Sequence, residues 1–264
     1  MNISSDNMDK MDTDFEAVRL ENPDATSPVL LICEHASNYF PPQFDGLGLS
    51  EEVQQSHVAW DPGAYEVMRR MGNILNAKMI SGCVSRLVYD CNRPPEAKDA
   101  VPVRSEIYDV PGNKDLDVDQ YMERVSLCYT PFHKQVSQAI NWAKLEPVLV
   151  TIHSFTPIYF GSERETDIGI LHDEDTRLAD AMLAHGERIS DLKIERNEPY
   201  GPEDGVTYTL QRHGIERGLL NVMIEVRNDL IQTATQQDEM AELLSDMLQR
   251  ALSTLEELNA GEAS

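Results

Sequence analysis

Residues 28–33, Pro-Val-Leu-Leu-Ile-Cys, form a short apolar run that stops at Glu34-His35-Ala36-Ser37-Asn38, with the breakers Pro41-Pro42 close behind. A continuous apolar run of this length, rich in branched side chains, predicts a strand buried on both faces, as in a parallel sheet. Titratable residues at the end of such a strand are what an open α/β sheet sets at its ligand crevice. The pattern recurs. Residues 147–152 (PVLVTI) run into His153-Ser154-Phe155-Thr156-Pro157, residues 168–171 are a third such run, and residues 219–226 (LLNVMIEV) carry Glu225, with Arg227 just beyond.

Helical patterns alternate with these runs. Residues 62–77 carry Pro62 in the first turn and an apolar stripe of Val67, Met71, Ile74 and Leu75. Residues 117–144 read as a long helix interrupted near Thr130-Pro131, residues 175–185 and 206–213 as shorter ones, and residues 236–258 as an amphipathic terminal helix. Residues 78–80, 85–89 and 192–195 are short strand candidates, and a loop of mixed charge fills 94–115. Strands alternating with helices predict an α/β fold with a mixed, mostly parallel sheet flanked by helices. There is no internal repeat and no linker, so residues 26–260 read as one domain behind a flexible acidic lead, residues 1–25.

The chain has 264 residues, with 46 Asp plus Glu against 22 Lys plus Arg and a formal charge of −24. A surface this acidic disfavours nucleic acid and anionic membranes, and the expected partner is a small molecule. If that molecule is itself an anion, local arginines must overcome the field. The four cysteines have no CxxC spacing, and no run is apolar enough to span a bilayer, so the expected location is the cytoplasm. The oligomeric state stays open.

Three strand ends present His35, His153 and Glu225. In a parallel sheet they share one edge, and two imidazoles plus a carboxylate are a frequent set of ligands for catalytic zinc. Asp61, in His57-Val-Ala-Trp-Asp61-Pro-Gly63, suits either a helix N-cap or a metal ligand. Asn92-Arg93 follows another strand candidate, and an Arg fork matches a carboxylate bidentately. Other chemistries lack their motifs: there is no GxGxxG, no GxxxxGK[ST] and no GxSxG. Ser154 beside His153 does not make a nucleophile pair, because adjacent strand residues point to opposite faces. His133 fits a helix histidine, and His172, His185 and His213 have no partner in sequence.

The ordered set Glu34-His35-Ala-Ser-Asn38, Trp60-Asp61-Pro-Gly-Ala64, Ser85-Arg86-Leu with Asp90-Cys-Asn92-Arg93-Pro94, Thr130-Pro131-Phe132-His133, His153-Ser154-Phe155, Asn197-Glu-Pro-Tyr200 and Ile224-Glu225-Val-Arg227-Asn228-Asp229 resembles the N-formylglutamate amidohydrolase family. The resemblance runs from about residue 28 to 232. It implies a zinc-carboxypeptidase-like, or phosphorylase/hydrolase-like, fold of the aspartoacylase type, with a divalent metal, zinc first, hydrolysing an amide. The implied reaction releases formate and glutamate from N-formyl-glutamate, at the end of a histidine-degradation route. It further implies His35 and His153 as metal ligands, Asn92 and Arg93 on a substrate carboxylate, and Glu225 as general base. Arg227 would bind a second carboxylate or hold Glu225. The carboxylate ligand is assigned to Asp61, with Asn38 and Glu34 as alternatives. Two other readings remain open: hydrolysis of another N-acyl amino acid or peptide, and a pocket that senses a carboxylate without turnover.

Overall fold

Three of the apolar runs lie side by side as parallel strands, and their ends meet at one edge. The structure is a computed structural model that describes residues 15–262. Its strands are β1 (Val18–Glu21), β2 (Val29–Cys33), β3 (Lys78–Gly82), β4 (Arg104–Ser105), β5 (Tyr108–Asp109), β6 (Val148–Phe155), β7 (Ile158–Tyr159), β8 (Ser162–Glu163), β9 (Ile168–Leu171), β10 (Ile194–Arg196) and β11 (Asn221–Arg227). The α-helices are α1 (Glu51–Gln55), α2 (Ala64–Leu75), α3 (Val118–Arg124), α4 (Thr130–Asn141), α5 (Arg177–Ile189) and α6 (Ala234–Glu262).

The main sheet has the order β1-β3-β2-β6-β11-β9-β10. Strands β3, β2, β6 and β11 run parallel, while β1 at one edge and the β9–β10 pair run against them. The sheet is therefore mixed and mostly parallel, as the alternation of runs predicts. Its central strands are apolar on both faces because both are covered. Leu31, Val150, Ile152, Val222 and Ile224 pack with α2, α5 and α6, whereas Ile32, Ile80, Leu149 and Met223 pack with α4 and the irregular segment around Leu87–Tyr89. Leu31 and Ile152 are fully buried, and truncating either to Ala should cost about 2–5 kcal/mol.

Four expectations change. Residues 85–89 are turns, not a strand: Ser85 Oγ donates to the Ala59 carbonyl at 2.8 Å and accepts from Leu87 N–H at 3.2 Å, which curls the backbone. Asp61 is not the cap of α2, whose N-cap is Gly63 at φ 83°. Of the acidic lead, residues 1–14 lie outside the described residues, and Val18–Glu21 are not loose. They pair with Met79–Gly82 as the edge strand β1. The long helix of 117–144 is continued, rather than broken, through a π turn at Val125–Tyr129, which Thr130 separates from Pro131. Widening that turn accommodates a residue that has no N–H to donate.

Candidate metal centre and its pocket

Strands β2, β6 and β11 are neighbours, and β6 and β11 are registered so that His153 pairs with Glu225. Residues paired across a sheet point to the same face. Past the end of β2 the chain turns sharply, carrying Glu34 and His35 to the same edge. Gly82 permits that turn, since a Cβ there would meet the Glu34 carbonyl oxygen at 2.2 Å. The Asp61 segment is tied on by its N–H, which donates to the His35 carbonyl at 2.9 Å, and by Ser154 Oγ, which donates to the Pro62 carbonyl at 2.9 Å. The Ser154 hydroxyl is a clamp here.

The result is a buried cluster. Asp61 Oδ2 lies 3.3 Å from His35 Nδ1 and 2.9 Å from His153 Nδ1. These three residues present ligand atoms within 4.8 Å of one another, and all three are buried. The opposite ring nitrogens face carboxylates: His35 Nε2 lies 2.7 Å from Asp90 Oδ1, and His153 Nε2 lies 3.1 Å from Glu34 Oε2. The first is a well-aligned hydrogen bond. The second is charge proximity only, as neither His153 Nε2 nor either Glu34 oxygen has a hydrogen-bonded partner among the described residues. An imidazole with one nitrogen aimed at a shared centre and the other at a carboxylate is the arrangement that orients metal-binding histidines. Arg86 crosses behind the cluster, with Nη1 3.4 Å from Asp61 Oδ1 and Nη2 2.9 Å from Asp90 Oδ2.

The electrostatics call for positive charge at this point. Burial alone would strip both imidazoles of their protons. Asp90 and Asp61 nevertheless raise the pKa of His35, and Glu34 and Asp61 raise that of His153 well above the ordinary value. Asp61 is held far below the usual carboxylate range despite its burial, by His35 and His153. Glu225 behaves differently. Burial, with the charge of Asp61 beside it, pushes its carboxyl up to about 7, and its Oε2 is buried without a hydrogen-bond partner among the described residues. Two nitrogens, one carboxylate and an uncommitted buried carboxyl oxygen fit a divalent cation of the zinc type.

A cavity of about 380 Å³ opens over the cluster. His35, Asp61, His153 and Glu225 form part of its lining, with Arg86, Asn92, Arg93 and Tyr200 around them. Tyr200 arrives because Gly169, paired with Glu225, has no side chain: a Cβ would meet the Glu198 carbonyl oxygen at 1.9 Å, so residues 198–200 lie directly on the sheet. Burial, with Glu225 nearby, pushes the Tyr200 phenol up to about 12.

Of the residues expected at the site, His35, Asp61, His153 and Glu225 come together. Asn38 does not join them, since its Nδ2 donates to the Gln54 carbonyl at 3.1 Å. Asn92 and Arg93 line the pocket, but Asn92 has both ends of its amide engaged. Its Nδ2 donates to the Val206 carbonyl and its Oδ1 accepts from Thr209 N–H at 2.9 Å, which makes it a strut. Arg93 is anchored to Asp99 at 2.8 Å and to the Gly205 carbonyl at 2.7 Å. Arg227 is outside the pocket and does not hold Glu225. It pairs with Asp167 and Asp229, each at 2.8 Å, and donates to the Arg164 and Thr166 carbonyls. Arg227 is the last residue of β11 and pairs with Phe155 in register, but its long side chain carries the guanidinium to Asp167 and Asp229, away from Glu225. Arg86 and the Asp90 contact were not singled out from sequence, and only their place in the Ser85–Pro94 motif pointed to them.

An open α/β sheet with paired histidines and carboxylates at its carboxyl edge, under a pocket, has the plan of a hydrolytic enzyme. The comparisons make the class specific: the N-formylglutamate amidohydrolase family model matches residues 27–232, and the chain belongs to that family of amidohydrolases. A crystal structure of an Agrobacterium tumefaciens gene product is 53% identical, covering 92% of this chain and 97% of its own, with a TM-score of 0.89. An N-formylglutamate amidohydrolase from Ralstonia eutropha JMP134 shares the fold at 17% identity, covering 90% of this chain and 98% of its own, with a TM-score of 0.63. No curated protein matches the chain significantly. No helix among the described residues is long and apolar enough to cross a membrane.

Proposed function

We propose that this protein hydrolyses the amide bond of an N-acyl amino acid, with N-formyl-glutamate as the leading substrate, in a reaction that depends on a divalent metal, zinc by the donor set. The observation that carries this reading is the convergence of His35 Nδ1, His153 Nδ1 and Asp61 Oδ2 beside the unpartnered Glu225 Oε2, at the floor of one pocket. His35, Asp61 and His153 would hold the metal. When bound, such an ion lowers the pKa of water and polarises the acyl oxygen. Glu225 takes a proton from the attacking water and passes it to the departing amine nitrogen, so that water and amide become a carboxylic acid and an amine. A carboxyl near neutrality suits both halves of that transfer. Asp90 keeps His35 in orientation by a hydrogen bond, Glu34 faces His153 as a charge, and neither imidazole takes part in the proton transfer.

A cytoplasmic location agrees with the four free thiols, while an anionic substrate has to be drawn in by the arginines at the pocket against the acidic surface. The test is metal analysis of the purified protein together with formate release from N-formyl-glutamate in the presence of zinc. About one metal per chain with turnover supports the reading. Metal without turnover on any N-acyl amino acid overturns the substrate, and turnover that survives complete chelation overturns the metal.

A further inference from the structure

Three arginines line the pocket, and each already has a carboxylate. Arg86 pairs with Asp61 and Asp90, Arg93 with Asp99, and Arg104 with Asp109. Arg164, just past the β7–β8 ribbon, is not itself part of that lining but stands against the rings that form one wall of it. Its guanidinium lies 4.4 Å from the Tyr159 ring centroid, 4.8 Å from that of Tyr200 and 5.5 Å from that of Phe155. All three rings belong to residues that line the pocket. Nη2 donates to the Tyr200 hydroxyl at 2.9 Å and Nη1 to the Thr156 carbonyl at 3.4 Å, and the remaining N–H groups have no hydrogen-bond acceptor among the described residues. No carboxylate among the described residues pairs with Arg164.

This is a cation held in place without being neutralised. Aromatic faces fix a guanidinium while leaving its N–H edge free for a planar acceptor. The backbone is fixed as well. Arg164 N–H donates to the Pro157 carbonyl at 2.8 Å, and the Arg164 carbonyl accepts from Arg227 Nη1 at 3.3 Å. The planar, forked N–H edge of a guanidinium matches a carboxylate, which can accept from two of its N–H groups at once.

We propose that Arg164 receives a free carboxylate of the substrate, so that the enzyme selects N-acyl amino acids with that carboxylate unblocked over their amides and over internal peptide bonds. The proposal depends on the N-acyl amino acid reading above for its substrate class. The experiment compares zinc-loaded wild type with Arg164→Ala and Arg164→Lys on N-formyl-glutamate and on its diamide, alongside binding of free glutamate by calorimetry. The expected result is a ten- to hundredfold rise in KM for N-formyl-glutamate in the Ala variant, with kcat changed far less, partial recovery with Lys, and no rise for the diamide. Thermal midpoints identify a variant that fails to fold. Equal effects on both substrates, or no effect on either, would overturn the assignment. If wild type turns over neither compound, the reaction proposed above fails on its own. Glutamate binding then decides for Arg164: loss in the Ala variant supports the assignment, and binding that is unchanged or absent from wild type refutes it.

Discussion

His35 Nε2 and Asp90 Oδ1 lie 2.7 Å apart, both buried, and on the far side of the ring His35 Nδ1 faces Asp61. The imidazole is thus fixed along its length by two carboxylates that do different work. Asp61 shares the centre with His153, whereas Asp90 only orients His35 and is itself braced by Arg86.

That division separates two variants. Asp90→Asn keeps the size of the side chain but removes its charge, and the expected loss is about 10–100-fold in zinc affinity. Asp61→Ala removes an oxygen from the proposed ligand set and, on that reading, should abolish stoichiometric zinc. Competition against a chelator at fixed pH measures both. Equal losses in the two variants would contradict the assignment.

Glu225→Gln should leave zinc content at the wild-type level and lower kcat about 10²–10⁴-fold. The carboxyl must be ionised to take a proton, so kcat/KM should rise with pH along an acid limb that the variant lacks. The carboxyl titrates near 7 without a metal, and a neighbouring cation favours the ionised form. The midpoint of that limb is therefore expected below 7. A limb that persists unchanged in Glu225→Gln would assign the proton transfer elsewhere.

The sequence exposed the sheet and the strand-end residues for one reason: buried parallel strands have to be apolar throughout, so Glu34-His35, His153 and Glu225 stand out where the runs stop. It did not expose what turns and loops assemble. Residues 85–89 have the composition of a strand, but Ser85 folds them back to deliver Arg86 and Asp90. The box around Arg164 draws Phe155, Tyr159 and Tyr200 from two segments whose approach depends on Gly169. Asp61 was visible as a carboxylate before a helix, yet that Gly63 rather than Asp61 caps α2, and that Asp61 meets two histidines, depends on contacts distant in sequence.

Arg227→Met is the control for the corrected assignment. Its ion pairs with Asp167 and Asp229 are partly exposed, so a loss of about 1 kcal/mol in stability is expected. Zinc content should be unchanged. Chemical denaturation and metal analysis check both, and loss of zinc would return Arg227 to the centre.

The last expectation concerns acid stability and a histidine pair away from the site. His133 Nε2 lies 3.0 Å from the Cys91 carbonyl and therefore carries a proton, which leaves His133 Nδ1 to accept from His213 Nε2–H at 2.8 Å. His213 Nδ1 is then a bare lone pair, buried without a partner among the described residues. Burial, with Arg212 adding to it, lowers His133 to about 4, and burial with His133 beside it lowers His213 to about 2. Unfolded histidines titrate near 6.5. Between that value and about 4 the unfolded chain binds protons that the native pair refuses, so stability rises with pH across this window. The contribution is complete above pH 6.5 and is lost as the pH falls, by roughly 3 kcal/mol per histidine at pH 4. His213→Leu removes one titrating group and the unpartnered nitrogen together. The difference in denaturation midpoint between wild type and this variant, measured at several pH values with zinc held constant, should shift in favour of the variant as the medium is acidified. A difference that does not change with pH would mean that His213 takes up its proton as readily in the native protein as in the unfolded chain.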